Sequence, residues 1–350
     1  RNVRRKQLNH KFDDIISLEN LCLAWEEFVV GKKKKRDVLQ FSRNLMDNIV
    51  ELHENLVNHT YRHGGYESFF INDPKRRHIH KASVRDRLIH QAIYRVLYPF
   101  FERTFIGDSY SCRLDKGTHL AINRFRTLAY KVSRNHYRTC WVLKCDIKKF
   151  FSSIDHQILL NILDEYILDK DIMWLLGEVV KSFNDKNHIS VGLPLGNLTS
   201  QLFANVYMNF FDQFVKHQLK AKYYIRYADD FVFLSPDKLL LKNLLVPIIN
   251  FLFEELKLTL HPNKIFLQTI FSGMDFLGWQ HFADHRALRN TTRKRMARRI
   301  KESPTNETLQ SYLGLLKHGN SLKARNELLN KYWLWKEDVI DKNLFTRDNC

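Results

Sequence analysis

The sequence has few cysteines, few acids relative to bases and no long apolar run. Cys22, Cys112, Cys140, Cys145 and Cys350 are odd in number, scattered, and include no Cys-x-x-Cys pair. That argues against a disulfide framework and a zinc site and fits a reducing cytoplasm. The 16 histidines show no metal-ligand spacing. No stretch approaches the length needed to span a bilayer and no signal peptide opens the chain, so no membrane partner is expected. Arg1 stands where a Met is usual, which leaves room for a few preceding residues. Internal repeats are lacking, as is any low-complexity tract beyond one lysine run.

What is present is a folded composition and a strong positive charge. Hydrophobic residues make up 44% and aromatics 13% of 350 residues, enough for a large core in two or three domains or subdomains. Lysine and arginine number 56 against 38 acids, a net charge of +18. A chain this basic expects a polyanion, and nucleic acid is the foremost candidate.

Residues 1–60 carry helical apolar periodicity, interrupted by the cationic run Lys32–Arg36. After the Asp73-Pro74 turn, Lys75, Arg76, Arg77, His78, His80, Lys81, Arg85 and Arg87, with Ile79, Ala82 and Val84 interleaved and few acids, predict a basic β-ribbon that leads into a helix from Asp86 to Phe101. Such a ribbon suits a triphosphate or a template backbone, although a solvated ribbon has the same pattern. A helix is expected from about His119 to Arg134, and amphipathic helices over residues 156–183. The Gly192-Leu193-Pro194-Leu195-Gly196 loop can approach a ligand closely, and Thr199 or Ser200 is placed to cap the next helix, whose core face is Phe203, Val206, Phe210 and Phe214. A further helix runs from about Lys238 to Leu256. Residues 274–279 read as a hairpin. Arg286–Lys301 holds eight cations at helical spacing and no acid, and two more helices follow over about 305–340.

Two segments carry carboxylates in places that call for explanation. Residues 140–145 form an apolar strand that delivers Asp146 at its end. Eighty-three residues later, Tyr227-Ala228-Asp229-Asp230 sits between two β-prone runs, so that a tight turn bears paired acids. Alone, such a pair is more often solvated turn chemistry, and Asp146 alone a cap or turn residue. Adjacent aspartates repel each other, and hard oxygen ligands on neighbouring residues suit Mg²⁺. Together the segments are parts of a two-metal phosphoryl-transfer site.

At this point the chain resembles a reverse transcriptase, in the right order through most of residues 70–320. Tyr227-Ala228-Asp229-Asp230 matches the Tyr-x-Asp-Asp box, and Lys144–Phe151 the strand bearing the first catalytic aspartate. The Lys75–Arg77 cluster and Arg85-Asp86-Arg87 match the fingers, Gly192–Gly196 the loop beside the incoming nucleotide, Lys264 the post-catalytic lysine, and Phe276-Leu277-Gly278-Trp279 the primer grip. The resemblance implies an α+β right-hand polymerase: an N-terminal helical extension (1–60), fingers (61–140), a palm with an antiparallel sheet (141–282, with finger helices inserted at about 156–190) and a basic helical thumb (283–350). No RNase H, maturase or endonuclease module is expected within it. Asp146, Asp229, Asp230 and the Ile147 carbonyl would hold two Mg²⁺. Lys264 would act as general acid. Lys75 and Arg77 would touch the triphosphate, and Phe151 would exclude a ribose 2′-hydroxyl. Leu195, Gly196 and Gln201 would border the nucleotide. Arg289, Arg293, Arg295, Arg298 and Arg299 would bind template RNA and the cDNA or primer.

Leu195 replaces the glutamine usual before the loop glycine, and Ser200-Gln201 replaces a Ser-Pro. With Ser311–Asn320, these features resemble the reverse transcriptases of diversity-generating retroelements. That family copies an RNA with frequent errors opposite adenine, from dNTPs, beside a small basic accessory protein. The alternatives are a defence-associated or other prokaryotic reverse transcriptase, and a catalytically silent RNA-binding scaffold.

Overall fold

Apolar residues recurring every three or four positions make the N-terminal segment helical, in the order α1 (Phe12–Ile16), α2 (Leu18–Phe28), α3 (Arg36–Ser42) and α4 (Leu45–Val57). The computed structural model describes residues 6–72, 76–184 and 190–345. Lys75 therefore lies outside the described residues. The ribbon follows as β1 (Tyr66–Ile71) and β2 (Arg77–Ala82), paired antiparallel with Phe70 opposite His78. Helix α5 (Val84–Glu102) starts where Ser83 caps the Asp86 N–H.

Next come α6 (Thr118–Val132), β3 (Trp141–Asp146), α7 (His156–Asp164), α8 (Lys170–Lys181) and α9 (Leu198–His217). The hairpin is β4 (Tyr224–Tyr227) and β5 (Asp230–Ser235), followed by α10 (Lys238–Glu254) and β6 (Phe266–Thr269). The chain closes with β7 (Met274–Phe276), β8 (Trp279–His281), β9 (Arg286–Leu288), α11 (Asn290–Glu302), α12 (Asn306–Leu316) and α13 (Leu322–Phe345). Strands β4, β5, β3 and β6 lie in that order in one sheet, and β7, β8 and β9 form another. This is the α+β composition expected. No helix among the described residues is long and apolar enough to cross a membrane.

The contacts divide the chain into two units. One comprises Arg1–Asp115, Cys145–Phe231 and Asn243–Ile265, the other Lys116–Lys144, Val232–Lys242 and Phe266–Cys350. In the first, α5 packs on both α2 and α9. Helix α9 is buried nearly all round: Phe203, Val206, Phe211 and Val215 are each at most 2% exposed. Each such side chain contributes about 1.5–3 kcal/mol of hydrophobic stabilisation. The expected single face was too narrow, since Phe210 and Phe214 are half-buried against Phe251. The α9 N-cap is Asn197 rather than Thr199 or Ser200; its side chain caps no helix N–H and donates instead to the His80 carbonyl on the ribbon, at 2.9 Å.

In the second unit, Trp279, Leu288, Met296, Ile300, Leu316 and Leu328 form the centre of the core. The stretch read as one basic helix splits here. Arg286 begins strand β9, where its side chain donates to the His318 carbonyl and, at 2.8 Å, to Asn123 Oδ1. The helix starts at Asn290.

Candidate active site

Strand β3 is an apolar run with four buried central residues, and its pattern ends at Asp146. Buried on both sides, the strand has no slack in its register, so the carboxylate is delivered at a set place. Strand β5 lies beside β3, and the Asp229 carbonyl accepts from the Ile147 N–H at 3.1 Å. The Asp229-Asp230 turn is thereby tied to the end of the Asp146 strand.

The turn itself is a two-residue loop, Ala228-Asp229, with Ala228 at φ +54°. A left-handed φ at the first central position matches the right-handed twist of a hairpin, but glycine is the usual occupant. A side chain held there is strained and needs support from its surroundings.

Arg226 supplies that support, and the sequence reading passed over it. Its guanidinium is wholly buried and donates to the Ala228 carbonyl at 3.2 Å. It pairs with the equally buried Asp212 of α9 through contacts of 2.7 and 2.8 Å. Ser109 Oγ accepts a further bond at 3.1 Å, and Tyr224 donates its hydroxyl to Asp212 at 2.7 Å. Burial pulls the Arg226 pKa down, but the Asp212 carboxylate outweighs it and the net shift is upward. The legible signal was polar: Asn205, Asn209 and Asp212 punctuate an otherwise apolar helix, and buried polar groups require partners.

A third segment runs past the same strand end. The Lys148 N–H donates to the Thr259 carbonyl at 2.9 Å, and the His261 N–H to the Asp146 carbonyl at 2.7 Å. The 3-10 turn Pro262–Lys264 then places Lys264 Nζ 2.7 Å from Asp146 Oδ1. Cys145, buried beside Asp146, has its thiol pushed up to about 12 by burial and by the Asp230 charge.

The Gly192–Gly196 loop is held at both ends. The Leu193 N–H donates to the Phe151 carbonyl at 2.8 Å, and the Leu195 carbonyl accepts from the His80 N–H at 2.9 Å. Gly196 has φ +110°, and a Cβ there would meet Ile79 Cγ2 at 2.8 Å, so glycine is required for both conformation and space. Leu195, Phe151 and Gln201 are half-buried, and Arg77 is exposed at the start of β2.

The first unit therefore holds Asp146, Ile147, Asp229, Asp230, Lys264, Arg77, Phe151, Leu195, Gly196 and Gln201. The remaining described candidates belong to the second unit. Phe276 and Trp279 are 0% and 1% exposed, so their side chains are core, and the hairpin loop Leu277-Gly278 is the accessible part. On α11, Arg293 pairs with Glu327 at 2.7 Å, and Arg298 and Arg299 reach Glu302 at 3.6 and 3.9 Å. Arg289 pairs with Asp275. Arg295 shares the helix.

The three aspartates and the Ile147 carbonyl are oxygen donors, which suits a hard divalent cation. Among the described residues, no three His, Cys, Asp or Glu side chains stand close enough to form a cage for a metal. Magnesium seldom uses such a cage, being held by one or two carboxylates with substrate phosphates and water. The Lys264 ammonium already sits as a cation on Asp146. The donor set fits the ion.

Comparison with known proteins identifies the family. The family model for Reverse transcriptase (RNA-dependent DNA polymerase) matches residues 72–281, from the ribbon to β8. Protein YkfC of Escherichia coli (strain K12) is 26% identical over 252 residues, 60% of this chain and 63% of that protein. The Group II intron-encoded protein LtrA of Lactococcus lactis subsp. cremoris is 29% identical over 156 residues, 43% of this chain and 25% of LtrA. A Putative COX1/OXI3 intron 2 protein of Saccharomyces cerevisiae is 21% identical over 277 residues, 62% of this chain and 30% of that protein. The chain thus spans less than two thirds of each. The matched segment contains all three aspartates, Lys264 and the Leu195-Gly196 loop, and the chain belongs to the reverse transcriptase (RNA-dependent DNA polymerase) family.

Proposed function

We propose that this chain is an RNA-directed DNA polymerase that extends a primer on template RNA with dNTPs. The observation that carries the reading is the bond from the Ile147 N–H to the Asp229 carbonyl, which joins the two carboxylate-bearing strand ends. Two Mg²⁺, when bound, would lower the pKa of the attacking 3′-hydroxyl and stabilise the leaving oxygen. Asp146, Asp229, Asp230 and the Ile147 carbonyl would hold them. Arg226 and Asp212 keep the turn in its strained conformation. Phe151 packs beside the loop and excludes a 2′-hydroxyl, while Arg77 takes the triphosphate. Lys264 gives a proton to the departing pyrophosphate. Leu277-Gly278 and the α11 cations serve the primer and the template backbone.

The test is primer extension on RNA with Mg²⁺ and dNTPs. Wild type should extend and Asp229→Asn should not. Extension that survives the substitution would refute the assignment.

The finer reading is an adenine-mutagenic reverse transcriptase of a diversity-generating retroelement, working with a small basic accessory protein. Leu195 supports it, since an apolar side chain offers the nucleotide no hydrogen bond and discrimination weakens. Within Ser311–Asn320, Gly319 and Asn320 also have a packing role, since Gly319 lies against the Trp279 ring and the Asn320 N–H donates to the Arg286 carbonyl. The intron-encoded relatives favour a second reading, a polymerase that copies intron RNA. Sequenced cDNA separates them: errors concentrated at template adenines, and reduced by Leu195→Gln, support the first, and an even spectrum the second.

A further inference from the structure

One face of the β1–β2 ribbon continues past the Gly196 loop into a cavity of different chemistry. Side chains alternate along strands, so Ile71, Phe69 and Glu67 share a face with their partners Arg77, Ile79 and Lys81. Ile79 is the residue that Gly196 approaches. Two residues on, about 6.8 Å along the strand, Lys81 borders a cavity of about 640 Å³. Its other walls include Gln40, Phe41, Asn44 and Asn48 from the α3–α4 region and Arg85 from α5. That volume lies in the range of small-molecule and cofactor sites.

The lining does not suit a phosphate. Lys81 Nζ lies 2.7 Å from Asp37 and 3.4 Å from Glu67, and Arg87 lies 2.5 Å from Asp37, so much of the local charge is internally cancelled. Amides remain. The Asn44 side chain caps no helix N–H although it stands at the N-cap of α4, and Gln40 is exposed. Asn48 donates to the Phe41 carbonyl at 2.9 Å, which leaves its own carbonyl oxygen available. Amides present donor and acceptor side by side, the complement of a nucleobase edge. The approach along the ribbon carries Phe69 and Ile71, each 42% exposed, which offer apolar surface to the bases of a nucleic-acid strand.

We infer that this cavity receives a nucleobase of the unpaired template strand, ahead of the nucleotide being copied. The inference rests on the template-copying function proposed above. In a duplex the Watson–Crick edge is occupied by pairing and the base is held in the stack, so only an unpaired base can enter a cavity and present that edge to its amides. In a primer–template that base belongs to the 5′ overhang of the template.

Fluorescence anisotropy of the full chain tests this without catalysis, using labelled primer annealed to RNA whose 5′ overhang is lengthened one nucleotide at a time from blunt. Wild-type affinity should rise about tenfold as the overhang reaches the cavity and then level off. The double substitution Gln40→Ala, Asn44→Ala should lose that gain and keep its affinity for the blunt duplex. Both residues are exposed, and an unchanged melting curve verifies the fold. An equal gain in the variant overturns the cavity assignment alone. Failure of wild type to bind any duplex overturns the template-copying function, and the cavity assignment with it. As a second measurement, 4-thiouridine in the overhang should photocross-link within residues 36–48, and cross-links confined to other segments count against the site.

Discussion

Lys264 Nζ and Asp146 Oδ1 are 2.7 Å apart, and the turn that carries the lysine is bonded to the carbonyl of the same aspartate through His261. A cation is therefore tethered where the candidate metal site needs a free carboxylate oxygen. Lys264 is 40% exposed, so solvent screens the pair and its strength is modest, about 1 kcal/mol or less.

Lysine and metal should compete. Lys264→Met is expected to tighten Mn²⁺ binding by up to about fivefold, measured by calorimetry without nucleotide. The same substitution should slow nucleotide addition by about a hundredfold if the lysine is the general acid. Weaker Mn²⁺ binding in the variant would show that the lysine aids the metal.

Arg226 should separate stability from turnover. Arg226→Met leaves the Asp212 carboxylate buried without its partner, at a cost of about 3–5 kcal/mol read by denaturant unfolding. Arg226→Lys keeps the charge but cannot span Asp212 and the Ala228 carbonyl together. It should recover much of the stability while kcat stays depressed and KM changes little. Full recovery of kcat by lysine would leave Arg226 a purely structural residue.

At Gly196, backbone and packing can be told apart. Gly196→Ala meets both a positive φ and Ile79, and primer extension should fall at least about tenfold as the loop shifts. Adding Ile79→Ala removes the clash and leaves the φ penalty, so recovery should be partial. Complete recovery would assign the whole effect to the clash.

Acid should destabilise the protein through two buried histidines. Burial, reinforced by His63 and Arg87, pushes His90 down to about 3. Burial also pushes His281 down to about 3, against the bond to the Phe276 carbonyl and with help from Arg286, Arg126 and Lys144. Both are neutral when folded and take up a proton on unfolding below about 6.5. The unfolded chain then binds more protons, so stability is fully present above about 6.5 and lost as pH falls towards 3, by about 1.4 kcal/mol per pH unit for each histidine. Urea unfolding at about pH 7 and about pH 5 measures the slope, and His281→Gln should flatten it.

Much of the fold was legible because its signals are local. The apolar periodicity of α2 and α4 and the apolar run before Asp146 each lie within one element, the helices burying one side and the strand both. The split of the basic stretch at Arg286 was not legible. Strand β9 forms there by pairing with β8, and the Arg286 side chain reaches Asn123 and the His318 carbonyl, partners far away in sequence.

For the candidate site, the sequence by itself determined the carboxylates, the glycine loop and the lysine, since adjacent like charges between apolar strands are conspicuous in one dimension. It also set the charge that points to a polyanion. Tertiary structure alone decided how they meet: the Ile147–Asp229 bond, Lys264 on Asp146, and Gly196 against Ile79. It also turned Trp279 inward and made Arg226 the support of the turn. The physical reason is common to these. A buried guanidinium, a close backbone approach and an ion pair across more than a hundred residues depend on which surfaces pack together, which local sequence pattern does not reveal.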